Sequence, residues 1–232
     1  MAALAAWVPR MVSYAVGVML ATAFLQLLPE AFRQAESIEA LFALTLAGVL
    51  GFFLLEKVAI WRHRHDHGHG SGSHTHGVGS GARGTGTMII VGDGFHNFVD
   101  GVLIAAAFLT DVKLGIATTL AIIAHEIPQE IGDFMVLLHA GYARRTALLL
   151  NLASGLACVA GGIAGYYALT EMQQVIQYVL VLAAASFIYI SVADLIPDLH
   201  RVSDTRGTLW QIALIAAGMA TIMAPHWLFQ AH

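Results

Sequence analysis

Seven mostly apolar runs follow one another along the chain, at residues 11–32, 40–61, 87–109, 114–140, 143–170, 175–199 and 208–229. Each is about 20 residues or longer, the length a helix needs to cross a bilayer. The third and fourth runs break the pattern. In the third, Asp93, His96, Asn97 and Asp100 recur at i, i+3, i+4 and i+7, which is one face of a helix. In the fourth, His125 and Gln129 are four apart, and Glu126, Glu130 and Asp133 fall at i, i+4 and i+7. The polar break between the two runs (Thr110, Asp111, Lys113) is short, so the two helices are expected to be antiparallel neighbours. Their midpoints fall near Phe98 and near Glu126 and Ile127. That sets His96, Asn97 and Asp100 at the depth of His125, Glu126 and Gln129.

Composition agrees with the pattern. The 232 residues are 58% hydrophobic and only 11% charged, with a mean hydropathy of +0.73. Soluble domains carry about 25% charge. The expected fold is an all-α polytopic membrane protein, one transport domain over residues 1–232 with seven transmembrane helices. The lipid bilayer is its medium, and nothing points to a nucleic acid. The single Cys158 rules out an internal disulfide and reads as a small buried hydrophobe. The first ten residues lack the charge order of a cleaved signal peptide and read as the approach to the first helix.

The five carboxylates of the central pair, Asp93, Asp100, Glu126, Glu130 and Asp133, would each cost about 2.5–3.5 kcal/mol in lipid. They must face a bundle interior, a water path or a cation, and a divalent cation offsets several at once. Imidazole favours Zn²⁺, Fe²⁺, Cu²⁺ and Ni²⁺, while carboxylate and amide oxygens admit Mn²⁺ and Cd²⁺. A mixed nitrogen and oxygen site without thiolate holds such ions loosely enough to release them. Midplane placement is where secondary transporters keep their cargo. Pro128 removes a backbone donor and frees the carbonyl of Ala124. Asp93, Glu130 and Asp133 read as second-tier path residues, with Asp93 and Asp133 expected on opposite sides of the midplane or near the mouths.

Residues 62–86 form the one long linker, Gly/Ser-rich and carrying His63, His65, His67, His69, His74 and His76. Its composition builds no core and predicts a disordered loop able to capture borderline metals. A cytoplasmic N-terminus places Arg10, Lys57, Arg62, Arg64, Arg83, Arg144, Arg145, Arg201 and Arg206 inside and only Arg33 and Lys113 outside. That is a strong positive-inside bias, and it makes the loop cytoplasmic. Glu56 and Lys57 read as an interfacial pair with a snorkelling lysine. The first span ends in LLPEAF (27–32) and the sixth in LIPDLH (195–200). The two spans run in opposite directions, which suggests an inverted repeat around the central pair.

HNFVDG (96–101) followed by HEIPQEIGDF (125–134) resembles the paired signature of the ZIP (Zrt-, Irt-like) metal transporters. FLQLLPEAF (24–32), FFLLEK (52–57), the His-rich loop and FIYISVADLIPDL (187–199) resemble that family too. The resemblance implies a binuclear metal centre on the central helices, with His96, Asp100, His125 and Glu126 as primary ligands. Asn97 and Gln129 would complete the site or its second metal position. It also implies divalent metal uptake toward the cytoplasm by alternating access, zinc first, with iron, manganese and cadmium as other substrates, and a homodimer. Two departures stand out. The family has eight spans and this chain has seven, the first appearing to be missing. Gln129 stands where His often follows the proline, a weaker ligand that lowers affinity or shifts selectivity away from Zn²⁺.

Rival readings separate on chemistry. A zinc protease needs H-E-x-x-H, and the fifth position here is Gln129. A di-iron bundle needs repeated Glu-x-x-His, and Asp93-x-x-His96 is the single approximation. The expectation is therefore a transporter, not an enzyme. A metal channel with the same ligands and a membrane metal sensor remain as alternatives. The compactness of the chain fits a bacterial inner (plasma) membrane.

Overall fold

The computed structural model describes residues 2–33, 35–65, 80–200 and 204–230, with side chains from 7–33, 35–57, 90–200 and 204–224. Seven helical bodies make up the described chain. The first joins α1 (Ala2–Thr22) to α2 (Leu28–Arg33) through a π-helical turn at Ala23–Leu27. Next come α3 (Ile38–His65), α4 (Ser80–Thr110), α5 (Val112–His139) and α6 (Arg144–Glu171). The sixth body runs from a 3₁₀ turn (Gln173–Val175) through α7 (Ile176–Tyr189) and a π turn (Ile190–Leu195) to α8 (Ile196–Leu199). The last is α9 (Thr205–Gln230). Seven helical bodies and the all-α class are thus found among the described residues.

Five bodies are long and apolar enough to cross a membrane: Trp7–Arg33, Ile38–Lys57, Arg144–Glu171, Gln173–Leu199 and Thr205–Ala224. The remaining two are α4 and α5, whose polar stripes lower their hydropathy. The flanking helices reach into the segment read as linker, α3 through His65 and α4 from Ser80. The backbones of His63 and His65 are helical, and His67, His69, His74 and His76 lie outside the described residues.

The two π turns have one cause. Each precedes a proline, Pro29 or Pro197, which lacks an N–H and crowds the carbonyl a turn earlier. Widening the helix relieves this, and the bonds Leu28 N–H to Ala23 O and Ile196 N–H to Ser191 O are both i to i−5. These are the two blocks read as an inverted repeat. Val12 and Val16 pack with Leu199, while Glu30 and Ala31 border one depression with Gln177 and Leu180. The first and sixth bodies therefore run antiparallel, as an inverted repeat requires.

The main core joins Val18, Met19, Leu27, Leu103, Ala106, Ala107, Ala121, Ile122, Leu180, Ala184 and Phe187. Small residues let the backbones close on one another. A Cβ on Gly101 would run into the Cys158 carbonyl, and one on Gly161 into the Phe98 carbonyl. That contact pins α4 against α6. The hairpin from α4 to α5 turns on one residue, Asp111, whose carboxylate accepts from the N–H groups of Lys113 (2.8 Å) and Leu114 (3.1 Å). This N-cap satisfies two otherwise orphan donors and starts α5 at a fixed angle to α4.

Candidate metal centre

The hairpin brings four of the predicted residues together. His96 Nε2 lies 3.4 Å from His125 Nε2, 3.4 Å from Glu126 Oε1 and 3.8 Å from Asp100 Oδ2. His125 Nε2 lies 3.3 Å from Asp100 Oδ2 and 3.4 Å from Glu126 Oε1. A tetrahedral ion with bonds of about 2.0–2.1 Å spaces its donors about 3.3–3.4 Å apart. Four of the five distances match that edge, and the His96 to Asp100 edge is longer by a few tenths of an ångström. The donor set of two imidazoles and two carboxylates balances a divalent charge. No thiolate is present to make binding effectively irreversible.

Burial sharpens the picture. The side chains of Asp100 and His125 are each 1% exposed, Glu126 is 13% exposed and His96 25%. Asp100 Oδ2 and Glu126 Oε1 are buried without a hydrogen-bond partner among the described residues. Unpaired buried oxygens of this kind are costly and call for a cation or water. His125 is oriented from behind. Its Nδ1 lies 3.0 Å from the Ala121 carbonyl, which can only accept, so Nδ1 carries the proton and Nε2 presents its lone pair to the site. Phe187 of α7 meets the same ring edge-on at 6.0 Å.

A second group shares Glu126. Ligand atoms of Asp93, Glu126 and Glu130 lie within 4.8 Å of one another. Gln129 adjoins this second group, and its Nε2 donates to Asp93 Oδ1 at 3.4 Å. Asn97 is 2% exposed, and its Nδ2 has no partner among the described residues. It lines a cavity of about 640 Å³ with Glu126 and Glu130. Asp133 stands beyond, close enough to feel the charges of Asp93 and Glu126. Asp93 and Asp133 lie at the same end of the hairpin, so of the two placements expected for them the one on opposite sides of the midplane is not found. In an antiparallel hairpin the residue before the site on one helix and the residue after it on the next share an end.

Sequence reasoning missed the contribution of α6. The amide of Asn151 donates to the Glu130 carbonyl at 2.7 Å. Ser154 faces Asp93. The available signal was two polar residues three apart in an otherwise apolar run. Toward Asp111 the tetrad is flanked by Leu103, Ala106, Ala107, Ala117 and Ala121, none more than 8% exposed. The cavity runs beside the tetrad in both directions, from Ile104 and Ile122 on the Asp111 side to Ile131 and Phe134 on the Asp133 side.

The family model for the ZIP zinc transporter matches residues 61–224, which spans both halves of this centre. The chain belongs to the ZIP family. Zinc transporter ZIP13 of Pongo abelii is 31% identical over 235 aligned positions, covering 94% of this chain and 67% of that protein. Human zinc transporter ZIP4 is 44% identical over 120 residues, 51% of this chain but 18% of ZIP4. The metal cation symporter ZIP14 of Bos taurus is 40% identical over 116 residues, 50% of this chain and 23% of ZIP14. The chain thus spans about a fifth of the length of ZIP4 and ZIP14. As ZIP members, these relatives are named as transporters rather than enzymes.

Proposed function

We propose that this ZIP chain carries divalent transition metal, zinc first, across a membrane toward the cytoplasm, and that it is not an enzyme. The observation that carries the reading is the tetrad of His96, Asp100, His125 and Glu126, with donor atoms at tetrahedral spacing on the two long helices that carry polar stripes. Iron, manganese and cadmium are secondary substrates on the same donor chemistry. Asp93 and Glu130 supply, with Glu126, a second metal position. Asn97 and Gln129 hold the space between the two positions, and Asp133 lies on the release side.

The positive-inside bias puts the N-terminus and the His-rich loop in the cytoplasm of a bacterial inner membrane. In that orientation the Asp133 end faces inward and the Asp111 end outward. Alternating access then requires the Asp111 end to open. His63, His65, His67, His69, His74 and His76 receive released metal. The family resemblance adds a homodimer.

Metal influx into proteoliposomes tests the reading. Saturable Zn²⁺ entry is expected for the purified chain, together with its loss in a His125→Ala/Glu126→Ala variant. Competition with Mn²⁺, Fe²⁺ and Cd²⁺ ranks the substrates. Entry that rises linearly with concentration would replace the carrier with a channel. Unchanged entry in the double variant would remove the site from the path.

A further inference from the structure

Ser and Thr hydroxyls inside helices commonly donate back to the carbonyl one turn earlier. Ser13, Thr45, Thr110, Thr119, Thr170 and Thr221 all do so, at 2.6–2.9 Å. Thr22 and Thr118 do not. Both are 0% exposed, and neither hydroxyl has a partner among the described residues. Regular helix precedes each of them, so the back-bond was available. Ser191, the third such hydroxyl, sits inside a π turn that alters its local geometry. Unpaired buried hydroxyls are destabilising, and native interiors seldom keep them without a further use.

Their position supplies the use. Gln26 and Leu114 border one depression of about 380 Å³ at the Asp111 end. The first body and α5 run antiparallel there. One turn inward from Gln26 is Thr22, and one turn inward from Leu114 is Thr118. Two further turns along the same face of α5, about 10 Å, stands His125. Within a turn of the two threonines on these faces lie Val18, Met19, Leu114, Ala121 and Ile122, all buried in the main core. The only polar groups this column adds between the depression and the tetrad are the two hydroxyls.

We propose that Thr22 and Thr118 are positioning residues of the outer substrate path. When α1 and α5 separate, their hydroxyls hydrogen-bond the water carried by an incoming divalent cation and hand it from the depression to His125. This rests on the transport reading above and adds to it a route and two residues.

The test uses the full chain with Zn²⁺ alone as the probe. Thr22→Val and Thr118→Val keep shape and remove the hydroxyl. Each is expected to lower influx at subsaturating Zn²⁺ by about ten-fold, the order expected for one lost hydrogen bond to a charged group's shell. Equilibrium Zn²⁺ binding in detergent should stay unchanged, and Thr→Ser should restore influx. Thr119→Val, next door but already back-bonded, should transport normally. In a Cys158→Ser background, Thr118→Cys should react with a membrane-impermeant thiol reagent added from outside. Wild-type rates in both valine variants, or valine variants that lose metal binding and are not rescued by serine, overturn the proposal. If the unsubstituted chain moves no zinc, the transport reading fails first. Labelling of Thr118→Cys then decides the route by itself: reaction supports an outer opening, and protection overturns it.

Discussion

At the scale of single residues, the centre divides its labour. His125 is fixed by the Ala121 carbonyl behind it and by Phe187 beside it, so its lone pair is aimed before any ion arrives. Asp100 is buried to the same degree, and its Oδ2 has no hydrogen-bond partner among the described residues. Asp100→Asn removes one charge at constant shape and should weaken Zn²⁺ binding at least about 10–100-fold. Calorimetric titration measures this, and an unchanged affinity would take Asp100 out of the ligand set. Gln129 stands against Asp93 rather than in the tetrad. Gln129→His should tighten Zn²⁺ binding by bringing an imidazole to the group of Asp93, Glu126 and Glu130, which competition against a zinc dye reads directly. The ligand types and their pairing were legible in the sequence, because a polar residue in an apolar helix has few reasons to exist. Which carboxylates pair was not legible. Helical spacing puts residues on a face but does not say how far each side chain reaches, so it could not show that Gln129 would stand against Asp93.

At the scale of elements, two local devices set the geometry. Asp111 closes the hairpin and caps α5. Asp111→Ala should cost about 1 kcal/mol through the lost cap. The expected result is a small fall in melting temperature with Zn²⁺ affinity nearly unchanged, because the ligands sit three turns or more away. Gly101 and Gly161 let α4 and α6 touch backbone to backbone. Gly101→Val should prevent that contact and cost more than about 3 kcal/mol, since the obstructing atom is a carbonyl that cannot rotate away. Folded yield by size exclusion reads the loss. The spans themselves were legible from run length. The π turns were not, although both proline blocks were seen. A proline announces a disturbed helix but does not say whether the chain will kink, break or widen. The roles of Asn151 and Ser154 also escaped, because α6 reads as uniformly apolar until its partner is known.

At the scale of the whole molecule, the centre lies beside a cavity, and its four ligand-type side chains come from both halves of the hairpin. Metal ligands must be unprotonated to bind. Below about pH 6.5 the ordinary imidazole takes up a proton, so Zn²⁺ affinity should fall as pH drops from about 7.5 to 5.5. Affinity measured across that range checks it, and a flat profile would remove His96 and His125 as ligands. The cavity beside the tetrad was beyond sequence reasoning. Apolar runs say that a helix is buried in something, without distinguishing a tight contact from a gap.

The hairpin has one further consequence, for how such a protein diversifies. All four donors of the tetrad fall within residues 96–126, on two helices joined by a single capped residue. Metal preference is therefore inherited as one short uninterrupted stretch of gene. Recombination within that stretch can exchange cargo while leaving the surrounding helices to drift, so long as the glycine contacts with α6 are kept. A lineage can thus change which metal it gathers without rebuilding the protein that gathers it.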